Sequence, residues 1–339
     1  MVLPRRGMYA LEVREDGRIP CRLCPHECLI PPGSRGVCGV RENREGELIA
    51  LNYGLVAAAA MDPVEKKPLY HFKPGTALFS VGAAGCNMSC AFCQNWELAS
   101  PPTGKIPGSY LGPDECVKML QEYDQGNCSG VAYTYSEPLM WYEYVMDTAP
   151  RVRDAGYSNV LVTNGYANAE PWSSILEWVD ACNIDVKGFD AEFYRRYCGA
   201  ELGTVRRNVE VAVAAGVHVE ITLLVIPEGT DDPDHVAGLV RWLASMDRDI
   251  PLHISRYFPH HRMRRPATSL ETLKRVQELA MQELNNVYLG NVSIPGGNDT
   301  SCKKCGNTLI ERSGYRVRIV GMDELGKCAA CGTQANVVL

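Results

Sequence analysis

The sequence has no long apolar run, no excess of positive charge and no internal repeat or low-complexity tract. No apolar stretch approaches the ~20 residues that a membrane-spanning helix needs. The start, residues 1–7, carries a basic pair but no apolar segment typical of a signal peptide. The net charge of −6 argues against a nucleic-acid surface over the whole chain. We therefore expect a cytoplasmic protein with no membrane association and no nucleic-acid partner.

Cysteine, by contrast, is abundant and clustered. The 339 residues include 15 cysteines and are 46% apolar, which suits one large domain with small appendages. In a chain that looks intracellular, so many cysteines favour metal ligation over disulfides. Eleven fall into three groups, at 21–38, 86–93 and 302–331. The other four are expected to be small buried apolar residues: Cys116, Cys128, Cys182 and Cys198.

The middle group forms a C-x3-C-x2-C pattern on a glycine-rich loop after the apolar run 77–81, with Cys86, Cys90 and Cys93. Thiolates this close in sequence can hold three corners of one cubane 4Fe–4S cluster, whose fourth iron then has no ligand from the loop. A zinc site completed by a ligand from elsewhere is the alternative. The x3 gap disfavours zinc, because zinc knuckles usually show x2 pairs separated by a long spacer. The pattern predicts an open cluster that can bind a small molecule.

The first group lies in a short, turn-rich module with the spacing C-x2-C-x3-C-x9-C: Cys21, Cys24, Cys28 and Cys38. Four thiolates can close a metal site, and so little apolar sequence needs a metal to become ordered. Zinc and an auxiliary iron–sulfur cluster both fit, and the spacing does not choose between them. We expect this module over the site, with the connector placing Lys66, Lys67 and His71 beside the cluster loop.

The last group consists of two C-x2-C pairs separated by 22 residues with alternating β character: Cys302, Cys305, Cys328 and Cys331. Two such pairs across a hairpin are typical of a zinc ribbon, whose role is usually structural. A second cluster or a partner-binding role is the alternative. Residues 295–301 are expected to be a linker to this module.

Between the outer groups, apolar runs alternate with helix-like stretches, which predicts a parallel sheet. Candidate strands are 77–83, 130–135, 159–163, 181–187, 217–226, 251–256 and 286–290. Candidate helices are 113–124, 138–155, 170–178, 205–215, 233–246 and 269–284. About six strand–helix units are fewer than the eight of a closed TIM barrel, so we expect an α/β fold with a partial (β/α)6 barrel. The predicted domains are 1–75, 76–294 and 295–339.

Polar residues lie at the C-terminal ends of four of these strands, where α/β folds place their sites. They are Ser136 and Glu137, Thr163 and Asn164, Asp185 and Lys187, and the run from His253 to Arg256, which offers an acid–base group. Each has a structural alternative. Glu137 before Pro138 suits a helix start, Asn164-Gly165 is a turn dipeptide, and Asp185 and Lys187 can simply pair.

The cluster loop resembles the signature of the radical S-adenosylmethionine (SAM) superfamily, including the aromatic Phe92 before the last cysteine. The chain as a whole resembles the radical SAM member of the AmmeMemoRadiSam group, similar to pyruvate formate-lyase-activating enzymes. The matching segments are Cys21-x2-Cys24-Pro25-x2-Cys28, Cys38-Gly39-Val40-Arg41, the run from Asp62 to Phe72, Gly85-Cys86-Asn87, Cys93-Gln94-Asn95-Trp96, the His253 strand, the run from Tyr288 to Val292 and the C-terminal cysteine pairs.

This resemblance implies an enzyme in which a 4Fe–4S cluster binds SAM, passes it an electron and yields a 5′-deoxyadenosyl radical that abstracts hydrogen from a substrate. It implies that Phe92 packs on the adenine, that Glu137 (with Ser136) binds the SAM amino group and that Thr163 and Asn164 lie near the ribose and carboxylate. Lys187, with Asp185, would reach the SAM carboxylate. An electron donor such as flavodoxin or ferredoxin is expected, and AMMECR-type and Memo-type proteins are suggested as partners.

Two other functions stay open at this point. The first is a glycyl-radical-enzyme activase, which would need an open cleft for a loop of a partner protein. The second is a metal-rich module that binds RNA or protein without catalysis. The acidic net charge counts against the second. The substrate and the oligomeric state do not follow from the residues.

Overall fold

The computed structural model describes residues 5–101, 104–292, 294 and 297–339. Its first part consists of short antiparallel strands between tight turns. They are β1 Arg5–Arg6, β2 Ile19–Pro20, β3 Leu29–Ile30, β4 Arg41–Arg44, β5 Glu47–Ala50 and β6 Leu55–Val56. β1, β5 and β4 form one sheet, and β2 pairs with β3. Between β4 and β5, Glu45 and Gly46 both have positive φ, the geometry that two-residue hairpins favour.

Longer strands and helices then alternate. The strands are β7 Ala58–Pro63, β8 Ala77–Gly82, β9 Ser109–Tyr110, β10 Cys128–Tyr133, β11 Ser158–Thr163, β12 Ala181–Asp185, β13 His218–Val225, β14 Leu252–Arg256 and β15 Val287–Gly290. The helices are α1 Trp96–Ala99, α2 Pro113–Tyr123, α3 Tyr142–Asp154, α4 Ala169–Leu176, α5 Ala191–Phe193, α6 Leu202–Ala214, α7 Pro233–Met246 and α8 Leu270–Ala280.

Eight of the strands form one sheet in the order β15-β14-β13-β12-β11-β10-β8-β7. β8 and the strands from β10 to β15 are parallel to one another. At one edge of the sheet, β7 is antiparallel to β8. Helices α2, α3, α4, α6, α7 and α8 lie in turn between successive parallel strands. The predicted α/β fold with a mostly parallel sheet is confirmed. Its closure into a (β/α)6 barrel and the three domain boundaries stay predictions.

The predicted helix 138–155 begins later than expected. Residues Pro138–Trp141 form a 3-10 turn, and α3 starts only at Tyr142. The Glu137 carboxylate accepts a hydrogen bond from the Leu139 backbone N–H at 3.0 Å. This side chain therefore caps the tight turn, as residues at N-caps commonly do.

The two faces of the sheet differ in chemistry. Residues such as Phe79, Leu161 and Ile221 belong to the main apolar core together with the helices. Because side chains alternate along a strand and registered neighbours share a face, the opposite face carries a second set, which is partly polar: Ser80, Asn183, Glu220, Thr222 and His253. This second face, which we call the inner face, therefore carries hydrogen-bonding groups that need partners.

Much of that need is met by the connector between β7 and β8. The Glu220 carboxylate accepts hydrogen bonds from the backbone N–H groups of Tyr70, at 3.0 Å, and His71, at 2.7 Å. The Asn183 amide donates to the Pro68 carbonyl at 2.6 Å. A small apolar cluster joins this connector to the strands: Val64, Leu69, Phe72, Leu78, Ala132, Val160 and Ala181. The connector is thus buried against the inner face of the sheet.

Our expectation for the connector's basic residues is wrong for His71. Its ring nitrogens contact the Asn336 carbonyl at 2.6 Å and the Tyr288 hydroxyl at 2.5 Å, away from the cluster loop. Lys66 and Lys67 both bind Asp62, at 2.7 and 2.6 Å. The backbone of the connector turns toward the sheet because Glu220 binds it, and this contact could not be read from local sequence.

The C-terminal module has three antiparallel strands, β16 Thr300–Ser301, β17 Thr308–Ser313 and β18 Arg316–Ile319. Arg312 attaches it to the connector, since its buried guanidinium donates to the Tyr70 carbonyl at 2.6 Å. Two residues of the predicted linker, Pro295 and Gly296, lie outside the described residues. Among the helices described, none is long and apolar enough to cross a membrane.

Candidate active site

The loop with Cys86, Cys90 and Cys93 begins where β8 ends. Gly85 has φ of +110°, and a Cβ at this position would lie 2.7 Å from the Val40 side chain and 3.2 Å from the Cys38 carbonyl. Only glycine adopts this positive φ without strain and has no Cβ to clash with Val40 and Cys38. The loop therefore packs directly against the N-terminal module, as the sequence predicted.

Backbone contacts hold the loop from two other sides. The Ser89 and Ala91 N–H groups donate to the Cys198 and Tyr197 carbonyls at 2.9 and 2.8 Å. The Arg262 N–H donates to the Ala91 carbonyl at 2.9 Å, and its guanidinium donates to the Ser89 carbonyl at 2.6 Å. A loop fixed in this way presents its thiols in a preorganised arrangement.

The thiols themselves suit a cubane better than a single ion. In the part of the chain that is described, these three sulfurs are not mutually within 4.8 Å, as ligands of one tetrahedral ion would be. In a cubane each thiolate binds a different iron, which spreads the sulfurs apart. Burial raises the pKa of Cys86 and Cys93, while the neighbouring Cys198 thiol lowers that of Cys90.

Glu137 joins the ends of β10 and β11 beside this loop. One carboxylate oxygen accepts from the Thr163 hydroxyl at 2.6 Å, and the other accepts from the Asn164 N–H at 2.8 Å. The side chain is 2% exposed, and burial raises the pKa of its carboxyl to about 7. The Asn164 amide in turn lies 3.7 Å from the Cys86 sulfur. Three of the predicted cofactor residues therefore meet next to the first cluster cysteine.

The neighbouring predicted residue Ser136 points elsewhere. Its hydroxyl donates to the Ala83 carbonyl at the start of the cluster loop. The residue before it, Tyr135, has φ of +70°, and its hydroxyl reaches Asp62 at 2.7 Å. These contacts tie the end of β10 to β7 and to the loop, so Ser136 supports the backbone around the site.

Asp185 and Lys187 lie at the end of β12. The Lys187 ammonium donates to the Asp185 carboxylate at 2.7 Å, and the two side chains are 20% and 31% exposed. The Lys187 N–H donates to the Tyr194 hydroxyl at 2.9 Å. Burial alone would lower the pKa of Lys187, but Asp185 and the nearby Cys90 raise it above its usual value. The ammonium is therefore positive and close to the second cluster cysteine.

Phe92 is buried and stacks on Phe193, with ring centroids 5.9 Å apart and an interplanar angle of 29°. Phe193 ends α5, and its ring also contacts Tyr197 at 5.0 Å. An aromatic cluster thus adjoins the loop between Cys90 and Cys93. Of these three residues, only Phe92 was predicted from the sequence.

His253 lies within the predicted strand 251–256. It is the second residue of β14 and is 1% exposed. Its Nε2 lies 2.6 Å from the Glu220 carboxylate, which also meets His218 at 3.0 Å. Burial would raise the pKa of Glu220, but these histidines hold it well below its usual range. His253 therefore belongs to the buried network that holds the connector.

Two supports of the loop, Asn87 and Cys198, were not predicted from the sequence. Asn87 donates to the Tyr166 carbonyl at 2.6 Å and accepts from Asn164 at 3.0 Å. Cys198, expected to be a bystander, is buried beside Cys90 and accepts from the Ser89 N–H. An asparagine directly after the first cluster cysteine was a visible signal for the former, whereas nothing local distinguished Cys198.

The C-terminal cysteines form a compact site. All four ligand sulfurs lie within 4.8 Å of one another, with 3.6 Å between Cys302 and Cys331 and 3.7 Å between Cys305 and Cys328. The Thr333 hydroxyl beside Cys331 lowers the pKa of that thiol to about 6. The predicted four-cysteine site is therefore present, and its chemistry suits zinc or an iron–sulfur cluster.

An open cysteine loop at one end of a parallel α/β sheet, flanked by a buried glutamate and a lysine, defines a class of cluster-dependent enzymes. A family model described as the Radical SAM superfamily matches residues 81–240. An uncharacterized protein of Methanocaldococcus jannaschii is 40% identical over 339 residues, which cover 99% of this chain and 100% of that protein. The chain belongs to the radical SAM superfamily and is therefore an enzyme, and the family implies a 4Fe–4S cluster, SAM and a reductant such as flavodoxin.

Two further comparisons are more distant. The pyruvate formate-lyase 1-activating enzyme of Escherichia coli is 25% identical over 167 residues, which cover 48% of this chain and 66% of that enzyme. The structure of Streptococcus suis SuiB bound to S-adenosylmethionine aligns with a TM-score of 0.51 and 13% identity. That alignment covers 67% of this chain and 53% of SuiB and indicates a shared fold.

Proposed function

We propose that this enzyme cleaves SAM reductively at the cluster loop and abstracts hydrogen from a substrate. The observation that carries the proposal is the meeting of Cys86, Glu137 and Asn164 on one side of the loop, with Lys187 on the Cys90 side. When bound, the cluster and SAM supply the one-electron cleavage and the radical. The residues of the chain bind and orient SAM and hold its charged groups in place.

Glu137 is the proposed partner of the SAM amino group. A carboxylate offers about four lone-pair positions, and three are occupied by Thr163, Leu139 and Asn164. One position is left for an ammonium donor. Because the Thr163 hydroxyl donates its hydrogen bond to Glu137, its role is to orient that carboxylate.

Lys187 is the proposed partner of the SAM carboxylate. An ammonium has three N–H donors, and the described contacts use one of them, to Asp185. Asp185 keeps the amine charged and directs it. Phe92, stacked on Phe193, is proposed to pack on the adenine. We propose that His253 stabilises the connector and takes no part in catalysis.

The test is anaerobic incubation of cluster-reconstituted protein with SAM and dithionite, followed by chromatography for 5′-deoxyadenosine. We expect the product from the native protein and none from Cys90→Ala. Cys116→Ala, which removes a buried thiol in the α2 region outside the site, is the matched control and should keep the activity. A fully loaded native protein that forms no 5′-deoxyadenosine would contradict the proposal.

A second candidate is a glycyl-radical activase. Its support is the similarity to the pyruvate formate-lyase 1-activating enzyme, over 48% of this chain. An activase should form 5′-deoxyadenosine faster in the presence of its protein substrate and leave a glycyl-radical signal in that protein. Hydrogen abstraction from a small molecule predicts neither result.

The finer assignments complete the proposal. We place the chain in the AmmeMemoRadiSam group, with AMMECR-type and Memo-type proteins as partners. We assign structural zinc to the C-terminal site, because the 3.6 and 3.7 Å sulfur separations match the ~3.8 Å expected around a tetrahedral zinc with Zn–S bonds of about 2.3 Å. Metal analysis of the isolated protein tests the zinc, and co-purification with each candidate partner tests the rest.

A further inference from the structure

The four cysteines of the N-terminal module surround a single cavity. Its volume is about 10 Å³, and it is lined by Cys21, Cys24, Cys28 and Cys38 together with apolar side chains and Arg41. Three of these cysteines are buried and Cys28 is half-buried. The four cysteines thus line one small space together.

The sulfur spacing in this module differs from that in the C-terminal site. The C-terminal sulfurs all lie within 4.8 Å of one another, whereas no three sulfurs of the N-terminal group do so among the residues described. The cluster loop, to which the family assigns a cubane, shows the wider kind of spacing as well. The C-terminal site and the cluster loop therefore serve as internal references for closely spaced and widely spaced sulfurs.

The physical reason for the difference is the size of the centre that is held. One zinc ion draws four sulfurs to a common point about 2.3 Å away, which leaves no room for a cavity between them. A cubane has four irons and four sulfides, and each thiolate binds a different corner. A central space ringed by spread thiols suits the cubane.

Arg41 gives an independent indication that this space holds an anionic sulfur centre. It lines the cavity and is 1% exposed. Its terminal nitrogens donate to the Met8 carbonyl at 2.9 Å and to Glu143 at 2.5 Å, but its buried Nε has no hydrogen-bond partner among the described residues. A buried unpaired donor is costly, and an anionic sulfur centre in the cavity would accept from it. The Val37 N–H also points at the Cys28 sulfur, at 3.5 Å.

We propose that the N-terminal module holds a closed 4Fe–4S cluster ligated by Cys21, Cys24, Cys28 and Cys38. With a thiolate on every iron, this second cluster has no open position for SAM. It lies next to the open cluster loop, because the His26 Nε2 contacts the Asn87 carbonyl at 2.7 Å and Gly85 packs on Cys38. The inference rests on the N-terminal residues and does not depend on the proposed reaction.

The test separates the two iron sites. After anaerobic reconstitution, the native protein should contain about eight irons and one zinc per chain. The combined variant Cys86→Ala, Cys90→Ala and Cys93→Ala should keep about four irons with the Mössbauer spectrum of a 4Fe–4S cluster, and that spectrum should not change when SAM is added. The iron content thus falls about twofold.

The converse variant, Cys21→Ser with Cys24→Ser, should lose the other half of the iron while the remaining cluster still responds to SAM. Cys182→Ala, at a buried position within β12, is the control and should keep all the iron. Only about four irons per native chain, with or without a second zinc, would overturn the proposal. Less than one iron in a loop variant whose circular dichroism matches that of the native protein would overturn it too, as would a two-iron spectrum. The native iron content decides the outcome if the variant does not fold.

Discussion

Replacing Lys187 with methionine should weaken SAM binding and leave the stability of the fold nearly unchanged. The ion pair with Asp185 is partly exposed, with 20% and 31% of the two side chains accessible. Solvent screens such a pair, so its loss should cost at most about 1 kcal/mol of unfolding free energy. A charged hydrogen bond from Lys187 to the SAM carboxylate contributes about 1.5–3 kcal/mol. The dissociation constant should therefore rise about 10- to 150-fold.

The assay is anaerobic titration calorimetry with SAM, normalised to the iron content of each sample. Lys66→Met is the matched control, because Lys66 also binds a carboxylate at 2.7 Å, that of Asp62, and is 46% exposed. We expect the control to bind SAM like the native protein. Urea unfolding of both variants measures the stability that each pair contributes.

One result would refute the reasoning. If Lys187→Met bound SAM within twofold of the native protein but lost well over 1 kcal/mol of unfolding free energy, the pair would be structural. A second variant, Asp185→Asn, then distinguishes a positioning role from a direct one. If Asp185 only directs the amine, its loss should weaken SAM binding less than the loss of Lys187 does.

Three further predictions concern the loop and its supports. Cys93→Ala should lose the iron of the open cluster while the C-terminal zinc persists, and full iron retention in metal analysis would contradict the assigned ligands. Glu143→Ala leaves the buried Arg41 without its partner and should cost about 3–5 kcal/mol in urea unfolding; a loss below 1 kcal/mol would argue against a buried ion pair. Gly85→Ala should destabilise both the loop and the N-terminal module, whereas Gly33→Ala, also at positive φ but with open space around it, should cost only the ~1 kcal/mol of backbone strain. Equal losses of unfolding free energy in these two variants would rule out the clash with Val40.

Much of the fold could be predicted because its signals are local. Strands such as Ser158–Thr163 and Val287–Gly290 are short apolar runs between turn residues, which is the pattern of buried parallel strands. The helices between the parallel strands show their own period, and the cysteine spacings indicate metal ligation within a few residues. The sequence alone therefore determined the α/β class, the cluster loop and the presence of three cysteine groups.

Tertiary structure decided what depends on long-range contacts. Glu137 meets Asn164 across 27 residues, next to Cys86. His253 is held instead by Glu220, across 33 residues. The two four-cysteine groups also have similar local signatures, yet one set of sulfurs is compact and the other surrounds a cavity. Spacing along the chain limits which thiols can share a centre, but the distance between them is set by the turns and neighbouring modules that pack around them.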